Sequence, residues 1–592
     1  MIPALSTWPL RGRIAVVAFL LSALFALPLA LPAEGQMGMQ RGEDPMDDLG
    51  SLEPEDGKWL TDDEGEEYFV KKLPKKEGTY QYYGENQVRY KHWFIFDLVK
   101  EDDENLYIKI YKPREHRPGF TREEVEARRA KEEAAVAASY QVEVGESDRL
   151  TYIPFDQGLP RRGMWRNGFD IADVNGDGHL DIVHGPARKG APVPRIFLGD
   201  GEGNWKLWRE ARYPRAPYDY GDAAAADFDG DGLTDLAFGF HLRGLLALRQ
   251  SSPGVFEVWS EGLDLQVPGA GSDASGFSTR AIELADWNGD GRIDILAAGE
   301  GPRPAGQKGD KTTGMVSSQA FGVAVYLNHG DGTWERLGAD KKTSGLFGDY
   351  LAYGDVNADG RLDLVTSSNL LGRQNILHLG SEDGEWERYT VDQIRPNAYL
   401  QSVGIADFDG DGRDDIAIGY ASWQLKFWRT GLDVLFSRPD DTWERRTLFL
   451  EESRLSLWAL GTGDVDGDEN ADIVVSTGDG GVMVFLGTGK GTFTREAATS
   501  LHSARGCRGY AVRLADLNGD GKDEIVAAFA DEGSALPMTE FPVTCTSAGA
   551  IMAWRTESSQ AEKAAADSAQ TEASQKDLGA SEGLDMSTEE GL

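Results

Sequence analysis

Cysteine is almost absent from this chain: two residues, Cys507 and Cys545, in 592. With eight histidines, that leaves no repeated Cys-His cluster, and neither a His-Glu-x-x-His nor a Gly-x-Ser-x-Gly motif occurs. The usual signatures of zinc hydrolysis and serine catalysis are therefore missing. Positive charge is in deficit, with 60 Lys and Arg against 99 Asp and Glu and a formal charge of −39. Such a chain is a poor partner for nucleic acid or an anionic membrane. No apolar stretch of membrane-spanning length follows the first 33 residues.

What the chain has in excess is aspartate in one repeated phrase, Asp-x-Asn/Asp-x-Asp-Gly-x-x-Asp. The phrase opens at Asp173, Asp227, Asp286, Asp355, Asp407, Asp464 and Asp516, in steps of 52 to 69 residues. A repeat of this length is one supersecondary unit that cannot bury its own apolar face, so the units must stack. Oxygen donors at positions 1, 3, 5 and 9, with a backbone carbonyl at 7, can surround one hard cation, and glycine at 6 permits the sharp turn. An all-oxygen set suits calcium and argues against zinc or copper.

The first bend offers Asp173, Asn175, Asp177, the His179 carbonyl and Asp181. The second offers Asp227, Asp229, Asp231, the Leu233 carbonyl and Asp235, and the third Asp286, Asn288, Asp290, the Arg292 carbonyl and Asp294. The fourth has Asp355, Asn357, Asp359, the Arg361 carbonyl and Asp363, and the fifth Asp407, Asp409, Asp411, the Arg413 carbonyl and Asp415. The sixth has Asp464, Asp466, Asp468, the Asn470 carbonyl and Asp472, and the seventh Asp516, Asn518, Asp520, the Lys522 carbonyl and Glu524. Two copies depart from the phrase: Glu469 replaces glycine in the sixth, and Glu524 replaces aspartate in the seventh. An EF-hand opens in the same way but needs a glutamate at position 12 and flanking helices. Position 12 here is His184, Phe238, Ala297, Thr366, Ile418, Val475 or Ala527, and the flanks are β-rich. Each bend should join two strands of a hairpin. Metal-free Asp/Gly turns are the alternative, but clustered carboxylates repel one another without a cation, and the expectation is up to seven structural Ca2+ ions.

Each unit carries four apolar runs. In the third these are Ala281–Ala285, Ile293–Ala298, Gly322–Leu327 and Trp334–Leu337. Aromatics recur where the fourth run starts, at Trp205, Phe256, Trp334, Trp386, Trp443 and Phe493, which suits packing between units. Four strands in each of seven units predict a mainly β fold, a seven-bladed β-propeller spanning 148–556. The seventh unit lacks a fourth strand, and the orphan run Arg149–Phe155 should supply it, removing open edges. Cys507 and Cys545 fall on the same face of that last unit, and in an exported chain they suggest a disulfide.

Residues 1–33 read as a signal peptide, with a retained anchor as the alternative. Residues 34–57 form an acidic linker expected to be disordered. Residues 58–140 are a small β-rich module plus a helix, with a turn at Glu101–Asn105 and a capping box opening at Thr121. Residues 557–592 are a polar tail expected to be disordered.

The bends and the four-strand unit, for example Ala285-Asp286-Trp287-Asn288-Gly289-Asp290-Gly291-Arg292-Ile293-Asp294-Ile295, resemble the FG-GAP/VCBS repeat family of integrin α-type propellers over roughly 150–556. The other family marks are poorly kept, with Gly185-Pro186-Ala187 and Phe347-Gly348 as approximations. The resemblance implies calcium-bound hairpins on one face of a propeller and no single function, since the family holds adhesion proteins, lectins and some polysaccharide lyases.

Ligands are expected on the opposite face, where Tyr213, Tyr218, Tyr220, Tyr350, Tyr399 and Trp458 lie near strand entries and can stack on sugars or anchor a protein. Packing of the central rim is the alternative use for them. The reading is a secreted, periplasmic or cell-surface binding scaffold for extracellular protein or glycan, with no membrane span after signal removal. A polysaccharide lyase or hydrolase on the same framework is the alternative, and a structural envelope component a third.

Overall fold

The computed structural model describes residues 57–61, 67–75, 80–82, 87–90, 94–102 and 104–111, and then 144–559 apart from 167, 189–192, 242, 266–277, 300–321, 338–347, 370–375, 383, 396, 425–426, 454, 498–500, 502–503, 505, 532–544 and 546. The expected signal peptide, nearly all of the acidic linker, the helix beginning at Thr121, and the tail beyond 559 lie outside the described residues. Among those described the secondary structure is β-strand with no helix, and no helix long and apolar enough to cross a membrane occurs.

Two compact units divide at Glu115. The first holds one six-stranded antiparallel sheet in the order Gly57–Thr61, Glu67–Pro74, Asn105–Tyr111, Phe94–Glu101, Gln87–Tyr90, Tyr80–Tyr82. Its central hairpin turns where the acidic run predicts. The Asp102 carboxylate accepts the N–H groups of Glu104 and Asn105 and the Tyr107 hydroxyl, closing the turn with a side chain where the backbone has no strand partner. Phe69, Leu106 and Ile108 are fully buried in it.

Among the described residues the second unit contains seven sheets, each built on three or four consecutive antiparallel strands. The first strands are Phe169–Ala172, Gly221–Ala226, Thr279–Ala285, Leu351–Gly354, Ala398–Ala406, Leu457–Gly463 and Arg508–Ala515. Each packs beside the next, and Arg508–Ala515 returns to Phe169–Ala172. The second strands, such as Asp235–Phe240 and Asp472–Thr477, are buried along their whole length. They read as continuous apolar runs because both faces of each sheet are covered by a neighbour. The arrangement is consistent with a β-propeller.

The fourth-strand aromatics fill the seams between sheets. Trp334 packs edge-on against Phe228, Trp386 against Trp287 and Phe493 against Phe408, with centroids 5.4, 6.1 and 5.5 Å apart. In each pair the partner is the second residue of the preceding sheet's bend. All seven residues at that position, from Val174 to Leu517, are at most 8% exposed. Each sheet thus completes its core with a side chain from the one before it.

The orphan run does close the unit. Leu150–Pro154 pairs antiparallel with Gly549–Ser558, Trp554 facing Pro154 and Ser558 facing Leu150. The last strand therefore runs past residue 556, because its outer neighbour sets its length. A second closure has no local signal in the sequence: Gly145–Ser147 adds to Phe493–Glu496 as a parallel fifth strand of the sixth sheet. The segment from Gly145 to Pro154 is thus a strap across two sheets. Buried Glu496 pins it, accepting the N–H groups of Arg149 and Leu150 at 3.1 and 3.0 Å and the Ser147 hydroxyl. Glu496→Ala leaves those backbone donors without acceptors, so it should lower unfolding stability by about 2 kcal/mol or more in a denaturant titration. An unchanged midpoint would show that the strap is not fixed by this side chain.

Candidate metal centres

Each bend wraps its backbone around its first aspartate. In the first, Asp173 Oδ1 accepts the N–H of Gly176 at 2.8 Å and Asp177 at 3.1 Å, and Oδ2 accepts Gly178 N–H at 2.8 Å. The bonds from residues 5 and 6 return around Asp227, Asp286, Asp355, Asp407, Asp464 and Asp516, and that from residue 4 around Asp227, Asp407, Asp464 and Asp516. The position-5 carboxylate then accepts the N–H of residue 7: His179, Leu233, Arg292, Arg361, Arg413, Asn470 and Lys522 in turn.

This wrapping needs left-handed backbone at position 4 as well as at position 6. Glycine supplies it at both places except at Ala358, with φ 53°, and Glu469, with φ 63°. Glu469 still donates its N–H to Asp464 Oδ2 at 2.8 Å, so the sixth bend keeps the common shape at a backbone cost.

Position 9 is the buried end of every bend. Asp181, Asp235, Asp294, Asp363, Asp415 and Asp472 are fully buried, and Glu524 nearly so. One oxygen accepts the N–H of residue 2 at 2.7–3.1 Å. In six bends the other oxygen accepts an N–H near the end of the third strand, from Gly199, Gln250, Asn328, Gly380, Ser437 or Gly487. Glu524 turns its other oxygen to Asn518 Nδ2 at 2.8 Å instead.

Sequence reasoning missed a further set of residues at that third-strand position. Gln250 Nε2 donates to Val174 O, Asn328 Nδ2 to Phe228 O, Ser437 Oγ to Val356 O and Thr556 Oγ1 to Val465 O. Each latches one sheet to residue 2 of the preceding bend. Their only signal is a polar residue at the end of an apolar third run.

The oxygens of the donor set suit a hard divalent ion. Three bends bring carboxylate atoms within 4.8 Å of one another: Asp227, Asp229 and Asp235; Asp407, Asp409 and Asp415; Asp464, Asp466 and Asp472. Asp409 Oδ1 and Asp466 Oδ1 are buried without a hydrogen bond. Buried anionic oxygens with no donor suit a cation. The other four bends carry asparagine at position 3, with Asn175, Asn288, Asn357 and Asn518 each donating Nδ2 to the position-5 carboxylate at 2.8–3.2 Å.

The six aromatic candidates are all half-buried, and Tyr213 does not lie opposite the bends: its neighbour Arg212 bridges Val255 in the turn between third and fourth strands, at the bend end of the sheet. Tyr213 stacks on Phe256, Tyr218 sits edge-on to Phe240 and gives its hydroxyl hydrogen to Pro214 O, and Tyr350 donates to Tyr510 O. Tyr399 stacks on Trp428, Trp458 lies under Arg508, and Tyr220 lies between Arg166 and Arg188. Cys507 and Cys545 form a disulfide, with Cα atoms 4.5 Å apart.

Burial pushes the position-9 acids up: Asp181 and Asp294 to about 6, Asp235, Asp363 and Glu524 to about 7, Asp415 and Asp472 to about 8. Nearby bend carboxylates add to the rise, and the backbone donors oppose it. Acids raised in the folded state hold extra protons there, so their contribution is full below about pH 4 and lost as pH rises through 6 to 8. With divalent ions removed, the melting temperature should therefore rise as pH falls from 8 to 5.5; a fall would contradict these burials. Glu469→Gly relieves a left-handed glutamate and should stabilise by about 0.5–1 kcal/mol in a thermal melt.

The FG-GAP-like repeat family matches residues 173–238, 286–366, 355–418 and 464–527. The chain is similar to integrin alpha pat-2 of Caenorhabditis briggsae, 30% identical over 242 residues, which are 36% of this chain and 18% of that protein. It is also similar to integrin alpha pat-2 of Caenorhabditis elegans, 27% identical over 331 residues, 46% of this chain and 25% of that protein. The likeness thus spans a quarter or less of these relatives' length. A solved structure described as BBS1N in complex with ARL6DN, soaked with lead, is similar at a TM-score of 0.39 and 10% identity, covering 69% of this chain and 97% of that one; so low a score carries no argument. The four matched stretches carry all seven wrapped bends, so the chain contains FG-GAP repeats.

Proposed function

We propose that this chain is an exported seven-bladed β-propeller whose bends hold up to seven structural calcium ions, and that it serves as a non-enzymatic binding or adhesion scaffold for extracellular protein or glycan. In this reading residues 1–33 direct export, 34–57 link, 58–140 form a separate module, 148–556 extended by the strap and by Gly549–Ser558 form the ring, and the remainder is a tail. The observation that carries the calcium reading is Asp466. Its side chain is 2% exposed, Arg149 lies only on Oδ2, Oδ1 has no donor, and Asp464 and Asp472 stand beside it. One guanidinium does not offset three clustered carboxylates, so the arrangement is costly unless a further cation shares it.

Extracellular sites of this type bind calcium at about 10⁻⁴ to 10⁻³ M. At tenfold excess over the dissociation constant each site adds about 1.4 kcal/mol by mass action. Several sites acting together would rival the stability of a whole domain. Protons compete with the ion for the same oxygens, so calcium should also reverse the pH slope of the metal-free protein.

The ligand face is the one opposite the bends. Tyr218, Tyr220, Tyr350, Tyr399 and Trp458 lie at or near the starts of first strands on that face. Scaffold function is favoured over polysaccharide cleavage by the inner cavity of about 260 Å3. Its two arginines are both committed to carboxylates, Arg280 to Asp349 at 2.6 Å and Arg513 to Glu283 at 2.8 Å. A lyase needs a basic group directed at its uronate substrate.

Chelation should lower the melting temperature by ten degrees or more, on the order expected for losing several such sites, and millimolar calcium should restore it; a melt indifferent to both sinks the calcium reading. On a glycan array run with calcium, Tyr220→Ala and Tyr399→Ala should each weaken retention. Ligand-dependent cleavage of an acidic polysaccharide would replace the scaffold by the enzyme.

A further inference from the structure

The seven bends fall into two electrostatic classes. Four carry asparagine at position 3 and three carry aspartate: Asp229, Asp409 and Asp466. In each of the three an arginine lies on the position-3 carboxylate. Arg249 Nε pairs with Asp229 Oδ2, and its Nη2 lies 2.8 Å from Asp231 Oδ2. Arg438 Nη1 lies 2.6 Å from Asp409 Oδ2 and 4.0 Å from Asp411 Oδ2. Arg149 Nη2 lies 2.9 Å from Asp466 Oδ2.

These arginines come from three different places. Arg249 is in the third strand of its own sheet, Gly244–Ser252; Arg438 follows the third strand Phe427–Ser437; Arg149 precedes the strap strand Leu150–Pro154. Arg249 and Arg438 flank the same third-strand position, that of Gln250 and Ser437, but Arg149 reaches its bend from the strap, so repeat geometry alone does not account for all three, whereas charge does. An asparagine bend has carboxylates at positions 1, 5 and 9. An aspartate bend adds a fourth, and the arginine offsets it. In the second bend the guanidinium also does what the asparagine amide does in the other class, Arg249 Nη2 donating to the position-5 carboxylate of Asp231 at 2.8 Å.

We propose that Arg249, Arg438 and Arg149 are positioning residues, tethered counter-cations that share the position-3 carboxylate with the divalent ion. The inference rests on the calcium reading above. The guanidinium takes Oδ2 in all three bends. Asp409 Oδ1 and Asp466 Oδ1, which have no hydrogen-bond partner, remain for the ion. Without the ion, the arginine limits repulsion among four carboxylates and keeps the bend wrapped. With the ion bound, that repulsion is already offset and the arginine matters less. Its removal should therefore harm the metal-free protein more than the loaded one, which by linkage means tighter ion binding at that bend. The sixth bend has an added consequence: because its arginine lies on the strap, the state of that bend is felt at ring closure.

The experiment compares Arg249→Met, Asp229→Asn and the double variant in the full chain, by melting in chelator and in calcium and by calcium titration calorimetry. Arg249→Met should melt about 2 °C or more below the parent in chelator, lose less in calcium, and bind one ion several-fold more tightly. The double variant converts this bend to the asparagine class and should recover the parent's melt in chelator. An unchanged chelator melt for Arg249→Met, or a double variant melting no higher than Arg249→Met, overturns the proposal. A parent protein that gives neither calcium heat nor a calcium-dependent melt overturns the shared-ion part together with the calcium reading, while the chelator melts separately decide whether Arg249 and Asp229 are paired.

Discussion

A carboxylate buried at the end of each bend is the constraint from which the repeat is built. Withdrawing an ionised acid from water is expensive, and hydrogen bonds from backbone amides recover only part of that cost. Asp235 shows the arrangement: fully buried, it takes the Phe228 N–H on one oxygen and the Gln250 N–H on the other. It thereby joins the first turn of the bend to the third strand, so the hairpin cannot slide against the rest of its sheet. The rest of the bend completes the electrostatics around that acid. The first aspartate folds the backbone into a shell, and residue 3 brings either an amide or a carboxylate with its arginine.

The same anchor explains why no sheet stands alone. Once the bend is fixed, the apolar residue at position 2 points toward the next sheet, where a fourth-strand aromatic or a third-strand polar group receives it. Phe228 meets both, packing on Trp334 and giving its carbonyl to Asn328. Further bonds run between bends, from the Thr234 hydroxyl to Asp173 O and from the Asp414 and Asp523 N–H groups to Asp355 O and Asp464 O. Stability in such an array is a sum of weak units and strong seams. The strap matters because it adds strands to the last two sheets, where the ends of the array meet.

Much of this was legible in the residues because the bend is a local structure with local causes. Alternating aspartates, glycine at position 6 and the following β-branched run fix the hairpin regardless of what lies outside it, and Arg149–Phe155 could be assigned because the seventh unit visibly lacked a strand. The parts that were not legible depend on residues distant in sequence. Glu496 and Ser147 meet across more than three hundred residues. The third-strand latches look like ordinary polar strand ends, and the arginines of the aspartate bends come from two third-strand ends and from the strap. Glycine at position 4 was overlooked because the donor phrase treats it as a spacer, although the backbone there is as left-handed as at position 6. The aromatic candidates near the strand entries each have packing partners, which a sequence cannot distinguish from exposure.

How the oxygens are used limits what the bend face can do. In the first bend Asp173 accepts three backbone N–H groups, Asp177 accepts that of His179, and Asp181 accepts two more. Lone pairs not taken by amides converge inward, as the partnerless Oδ1 of Asp466 does. A partner approaching this face would have to compete with the backbone for groups that hold the sheet together. The opposite ends of the sheets carry no such obligation, since the turn between second and third strands can lengthen without disturbing the buried acid. Variation in length and composition is therefore tolerated there, while the bends keep the sheets in register.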